Sequence, residues 1–278
     1  MRLKNITNLA KASAVALAFS SAAIATPAQA QGDLLVAPTR VILDGSRGTE
    51  VILSNIGSEE ATYRIGLELR RMLENGRLAP VERSDANSNE EAALGMIRYA
   101  PRRITLPPGQ PQAIRLAARP GADLEDGEYR VHMSFKAIPR PRAVTASDQP
   151  AENISIELIP IYGVTIPIIV RHGRVEAQVA LSDPMLVQSA DGPELALSIN
   201  RSGDSSTYGM LRVIKPGADE PLIELRGLAV YPEVNERQVR IRLTPEQLEI
   251  LRGQVRIEYR EMPDAGGRLI AAIDTMVG

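Results

Sequence analysis

Apolar and polar residues alternate along this chain in runs that return every dozen positions or so, and helical periodicity is nearly absent. A period of two turns one face of each run toward a core and the other toward solvent, which commits most of the chain to half-buried antiparallel strands. Such runs fall at 34–36, 49–55, 61–70, 96–99, 112–118, 128–138 and 154–170, and then at 175–181, 194–200, 208–214, 222–231, 238–243, 254–259 and 269–274. Turn signals separate them, among them Asp44-Gly45, Glu74-Asn75-Gly76, Pro107-Pro108-Gly109, Asp191-Gly192 and Gly266-Gly267. Two groups of seven strands predict an all-β chain of two immunoglobulin-like sandwiches, divided near Arg171-His172-Gly173. One short helix is expected after Thr244-Pro245-Glu246-Gln247, opened by a capping box and stopped by Gly253. The segments "SDANSNEEAA" (84–93) and "RPRAVTASDQPAE" (140–152) lack any apolar period and are expected to be mobile loops.

The first thirty residues read as a targeting segment. Arg2, Lys4 and Lys11 precede an apolar, small-residue run, and Ala28-Gln29-Ala30 fits a signal-peptidase site, which predicts a cut after Ala30 and export. The sandwiches would then occupy 31–171 and 172–278. No later stretch is apolar and long enough to span a bilayer, so no membrane-embedded part is expected. The formal charge is −2 before three cations leave with the signal, a poor balance for nucleic-acid binding. Absence of cysteine excludes disulfides, thiolate nucleophiles and cysteine metal sites. His132 and His172 stand among apolar or basic neighbours, the carboxylate pairs Glu59-Glu60 and Glu90-Glu91 fall in turns or loops, and the acidic stretch 121–128 lacks the alternating ligand pattern of a calcium loop. No enzyme, metal or cofactor is expected.

Two features call for more than a folded core. Arg40 interrupts "PTRVILDG", placing a fixed charge at the head of an otherwise apolar strand. The run "NISIELIPIYGVTIPIIVR" (153–171) is far longer than the usual strand of about five or six residues. Its even positions, Ile154, Ile156, Leu158, Pro160 and Tyr162 and then Val164 to Val170, form one continuous apolar face. Pro160 and Pro167 each remove a backbone donor, which suits an edge strand. A long apolar edge is an aggregation hazard, and a partner that adds a strand explains its retention. Its second half belongs to the core of the first sandwich and its first half is free for a partner.

From position 34 onward the sequence resembles the periplasmic pilus-assembly chaperones of the chaperone-usher pathway. The resemblance rests on "TRVILDG" (39–45), "LSN" (53–55), "APRRITLPPGQPQAIRL" (100–116), "EYRVHMSFKAIP" (128–139), the alternating strand ending in Arg171, and "DAGGRLIAAI" (264–273). It implies two immunoglobulin-like domains in a boomerang arrangement, pilus or fimbrial subunits as partners, and delivery to an outer-membrane usher. It also implies that Arg40 binds a subunit's C-terminal carboxylate and that Ile154, Ile156, Leu158, Pro160 and Tyr162 enter the subunit's groove by donor-strand complementation. Glu128, Arg171 and Asp264 would form the charge network between the domains. Whether the free protein caps its own strand by dimerising is left open. The family commonly sets a lysine on the long strand four residues before the position of Arg171, where this chain has Pro167. Arg40 acting alone, Arg98 or Arg102 in the lysine's place, or another mode of holding the carboxylate are the alternatives. A non-catalytic exported structural or adhesive protein of two such domains is the competing reading.

Overall fold

A computed structural model describes residues 34–139 and 161–278, so the signal segment and residues 153–160 of the long apolar run lie outside the described residues. The chain is all-β, and among the described residues no sheet mixes strands from before and after Gly173.

The first sandwich contains β1 (Leu34–Ala37), β2 (Val41–Leu43), β3 (Thr49–Asn55), β4 (Ala61–Met72), β5 (Leu78–Val81), helix α1 (Ser88–Met96), β6 (Ile97–Ala100), β7 (Arg103–Leu106), β8 (Pro111–Ala118), β9 (Gly127–Ile138) and β10 (Gly163–His172). One sheet runs β1-β3-β8-β6 and the other β2-β10-β9-β4, with β5 and β7 both paired to β4. Alternation is visible in β3, where Val51, Leu53 and Asn55 point inward while Glu50 and Ile52 point out. Asn55 is buried yet satisfied: its amide donates to the Glu59 and Leu106 carbonyls at 2.6 and 2.9 Å and its oxygen accepts from Gly57 N at 3.0 Å, which fixes the turn after "LSN". On β9, Tyr129, Val131, Met133 and Phe135 enter the core between the sheets. Each such side chain contributes roughly 1.5–3 kcal/mol on burial.

Four elements depart from expectation. The polar segment 84–93 is not a loop over its length, because Asn87 and Glu90 form a capping box (2.8 and 2.9 Å) that opens α1. Arg71 then holds Glu90 through two bonds of 2.7 Å, while Ala93 and Met96 are buried in the core. The four-residue strands β5 and β7 were not signalled by alternation, and together with three-residue β2, which also lies outside the seven runs, they bring the first sandwich to ten strands among the described residues. In the long apolar run, the described strand begins only at Gly163.

The second sandwich contains β11 (Ala177–Ser189), β12 (Gly192–Gly203), β13 (Thr207–Ile214), β14 (Ile223–Val230), β15 (Glu236–Arg242), helix α2 (Pro245–Leu251), β16 (Gly253–Arg260) and β17 (Leu269–Val277). Its sheets are β11-β12-β15 and β14-β13-β16-β17, around a core that includes Leu195, Ile199, Leu211, Ile257 and Tyr259. Helix α2 has the expected capping box, between Thr244 and Gln247. Strand β11 extends past its expected end across a bulge at Asp183, whose φ is +54°.

The turn from β10 to β11 requires Gly173. Its φ is +65°, and a Cβ there would lie 1.8 Å from Asp126 Oδ1. Asp126 also accepts from Arg174 N at 3.1 Å, so the turn is fastened to the loop before β9.

Candidate functional site

Between the sandwiches lies a cleft of about 650 Å³ whose walls include Arg40, Ile42, Arg171, Ser206, Tyr208 and Asp264. Its first wall is the edge of the β2-β10 sheet. Strand β2 pairs in parallel with β10 only over Ile168–Val170, opposite Val41–Leu43. Arg40 immediately precedes Val41, so its guanidinium is set at the head of β2, opposite the middle of β10.

The second sandwich grips that guanidinium. Arg40 Nη1 donates to Tyr231 Oη at 3.2 Å and Nη2 to Ser206 Oγ at 3.0 Å, and the group lies 4.7 Å from the Tyr208 ring centroid. Among the described residues no carboxylate pairs with Arg40. Its Nε is buried with no hydrogen-bond partner among the described residues.

Glu128 and Arg171 meet next to Arg40. They are cross-strand neighbours on β9 and β10, and Arg171 Nε donates to Glu128 Oε2 at 3.2 Å. The same oxygen accepts from Ser206 N at 3.0 Å and from Ser206 Oγ at 2.8 Å, while Arg171 Nη2 donates to the Ser206 carbonyl at 3.2 Å. The Glu128 side chain is fully buried. Asp264 does not join them. It lies on an exposed 3-10 turn, Pro263–Ala265, and bonds to neither Glu128 nor Arg171; Ser206 occupies the place expected for the third member.

Arg98 and Arg102 are also elsewhere. Arg98 Nη1 donates to the Gly95 and Ile97 carbonyls, and Arg102 lies 4.1 Å from the Tyr99 ring and donates to its hydroxyl. Pro167 faces His132 across the β9-β10 pair and brings no charge. Ile154, Ile156, Leu158 and Pro160 lie outside the described residues. Tyr162 precedes β10 with its side chain exposed, and its carbonyl accepts from Ala137 N at 3.0 Å.

Several residues with no local sequence signal complete the junction. Glu233 accepts from Met72 N at 2.6 Å and pairs with Arg130, whose guanidinium stacks 3.6 Å from the Tyr231 ring centroid. Met72, Ile169, Ala229 and Tyr231 form a small apolar cluster across the two sandwiches. The β4-β5 turn docks on β15 through Gln238 N to Glu74 O at 2.7 Å. Its Gly76, at φ +78°, lies against the Arg237 guanidinium, where a Cβ would come within 2.4 Å of Nε. Arg201, 4% exposed, donates to the carbonyls of Gly203, Ser205, Pro232 and Val234 and so ties together the two loops that present Ser206 and Tyr231. Burial lowers its pKa from the ordinary value, with Glu128 and Glu233 opposing the shift. Burial also pushes His132 down to about 3, reinforced by Arg130 and Arg70, so this histidine is a neutral core residue.

No protein-family model matches the sequence, and no curated protein matches it. Solved structures similar to this chain include the E. coli chaperone DraB, at 14% identity and TM-score 0.45 over 89% of this chain and 97% of that one. The Salmonella enterica SafA pilin in complex with the SafB chaperone matches at 14% identity and TM-score 0.43, over 90% and 98%. The CsuC–CsuE complex of chaperone and tip subunit from the archaic chaperone-usher Csu pili of Acinetobacter baumannii matches at 11% identity and TM-score 0.44, over 88% and 99%.

Proposed function

We propose that this chain is a periplasmic chaperone that binds pilus subunits through a strand-shaped site beside β10 and hands them to an outer-membrane usher. One observation carries the proposal: an open strand lane that ends at an arginine. Strand β9 pairs with β10 along its whole length, whereas on the other side β2 covers only Ile168–Val170. Beside Gly163–Pro167 no described strand is paired on that side.

The lane has a direction. A guest strand laid there parallel to β10 runs toward β2, so its C-terminus arrives at Arg40. The guanidinium offers a planar fork that suits a carboxylate, and partial burial strengthens the pairing. An antiparallel guest would bring a cationic N-terminus to the same group. Exposed apolar side chains flank the lane: Ile161 is 63% exposed, Tyr162 51% and Ile42 50%. A subunit that lacks one strand has an apolar groove open to water, and covering it supplies roughly 1.5–3 kcal/mol for each side chain fully buried. In the sequence the apolar series continues back through Ile154, Ile156 and Leu158, and this is the segment proposed to fill that groove. No bond is made or broken in this function.

The test is periplasmic co-expression with a fimbrial subunit, followed by co-purification. Wild type is expected to raise the yield of soluble subunit and to co-elute with it, and Arg40→Ala to lose most of that yield. A subunit equally soluble without this protein contradicts the proposal and leaves a structural or adhesive role.

A further inference from the structure

We infer that Arg171 is the second cation of the carboxylate site, which rests on the strand-binding function proposed above. Strand β10 has no lysine or arginine between Gly163 and Val170, and Arg98 and Arg102 are engaged outside the cleft. Arg171 is the cation that shares a support with Arg40. Ser206 Oγ accepts from Arg40 Nη2 at 3.0 Å, and the carbonyl of the same residue accepts from Arg171 Nη2 at 3.2 Å. One residue therefore brings two guanidinium groups into one wall of the cleft, which both of them line.

Glu128 is the one carboxylate bonded to either guanidinium among the described residues. Glu176 and Asp264 on the far wall are exposed and bond to neither, and Glu261 pairs with Arg268 at 2.9 Å. The two guanidinium groups thus have one buried carboxylate bonded between them, while Glu176 and Asp264 stand unbonded to either in the solvent-exposed part of the cleft. Like charges so held favour uptake of an anion. Arg171 also keeps hydrogen-bonding capacity for it: Nε and Nη2 are used, and Nη1 has no partner among the described residues. Its side chain is 34% exposed and reachable from the cleft. A strand parallel to β10 delivers the terminal carboxylate to this place. Arg40 then binds one side of the carboxylate and Arg171 Nη1 the other.

Carboxylate preference is the readout, because damage to the fold would weaken every ligand alike. A fluorescein-labelled peptide of two lysines followed by alternating threonine and valine, made with a free C-terminal acid and as the C-terminal amide, is titrated with the mature protein. Wild type is expected to bind the acid about tenfold more tightly than the amide, the factor of one charge-assisted pair. Arg171→Gln is expected to lose most of this ratio, and Arg171→Lys to retain most of it. If Arg171→Gln does not fold, the double variant Glu128→Gln/Arg171→Gln, which removes both charges of the pair and leaves neither uncompensated, is titrated instead: it should also lose most of the ratio, and a ratio equal to that of wild type overturns the assignment. An Arg171→Gln ratio equal to that of wild type also overturns it. In that case loss of the ratio in Arg40→Ala still supports the carboxylate anchor. A wild type that does not distinguish the two peptides overturns both.

Discussion

Arg40 and Ser206 are joined by a hydrogen bond of 3.0 Å that crosses from one sandwich to the other, and the same serine hydroxyl donates at 2.8 Å to Glu128, the buried acid of the interdomain ion pair. The group proposed to hold a partner and the pair that holds the two sandwiches therefore share one side chain. A carboxylate drawn to Arg40 changes the balance at Ser206, and through it at Glu128 and Arg171.

Ser206→Ala is expected to lower stability by about 1.5–3 kcal/mol, the range for hydrogen bonds to charged groups, although the position is small and the backbone bond to Glu128 survives. Urea unfolding measures the loss. A change below about 0.5 kcal/mol would mean that the hydroxyl joins neither partner in solution.

Arg201→Leu should be more severe. Four backbone carbonyls lose their donor in a buried setting, and the loops that carry Ser206 and Tyr231 lose their common tie. A loss of about 3 kcal/mol or more is expected in the same assay, together with weakened subunit binding.

Glu233→Ala removes the acceptor for Met72 N and the counter-charge of Arg130, whose side chain is 8% exposed. Breaking a buried pair from one side leaves the other charge uncompensated, so a cost of roughly 3 kcal/mol is expected. Because the contact lies between the sandwiches, small-angle scattering should also report a broader range of interdomain angles than in wild type.

Stability should fall as the pH drops from 6.5 toward 5. Native His132 is held neutral by burial and by Arg130 and Arg70, with its pKa pushed down to about 3, whereas the unfolded chain takes up a proton near 6.5. Protonation thus favours the unfolded state by about 1.4 kcal/mol per pH unit below 6.5, or about 2 kcal/mol at pH 5, and the effect saturates below about 3. Glu68, Glu90 and Glu258 have lowered pKa values, so their contributions are complete above the ordinary carboxylate pKa and are lost as the pH falls from there through their lowered values. His132→Leu should flatten the slope between pH 6.5 and 5. An unchanged slope would contradict a buried neutral imidazole.

The strand framework was legible because alternation is a local signal. Strand β3 begins and ends where expected, and β8 and β9 do so within a residue. Strands β5 and β7 are too short to show a period, and α1 was hidden by polar composition although its capping residues, Asn87 and Glu90, stand in the sequence. The site was legible in part. Arg40 stood out as a charge at the head of an apolar strand, and Glu128 and Arg171 occupy facing register positions. Their partners did not stand out: Ser206 is 166 positions from Arg40, and no local pattern relates a serine in a polar loop to a strand arginine at that separation. Asp264 was expected to complete the charge network, but the Gly266-Gly267 turn leaves its 3-10 turn exposed on the far wall of the cleft.

Hydrogen exchange across the β10 edge tests the central claim most directly. In a purified complex with a fimbrial subunit, backbone amides in the segment 161–168 should exchange more slowly than in the free protein, while those of the outer edge strand β14 (Ile223–Val230) stay unchanged. Unaltered exchange beside Gly163–Pro167, with protection appearing elsewhere on the molecule, would contradict a guest strand lying in that lane and ending at Arg40.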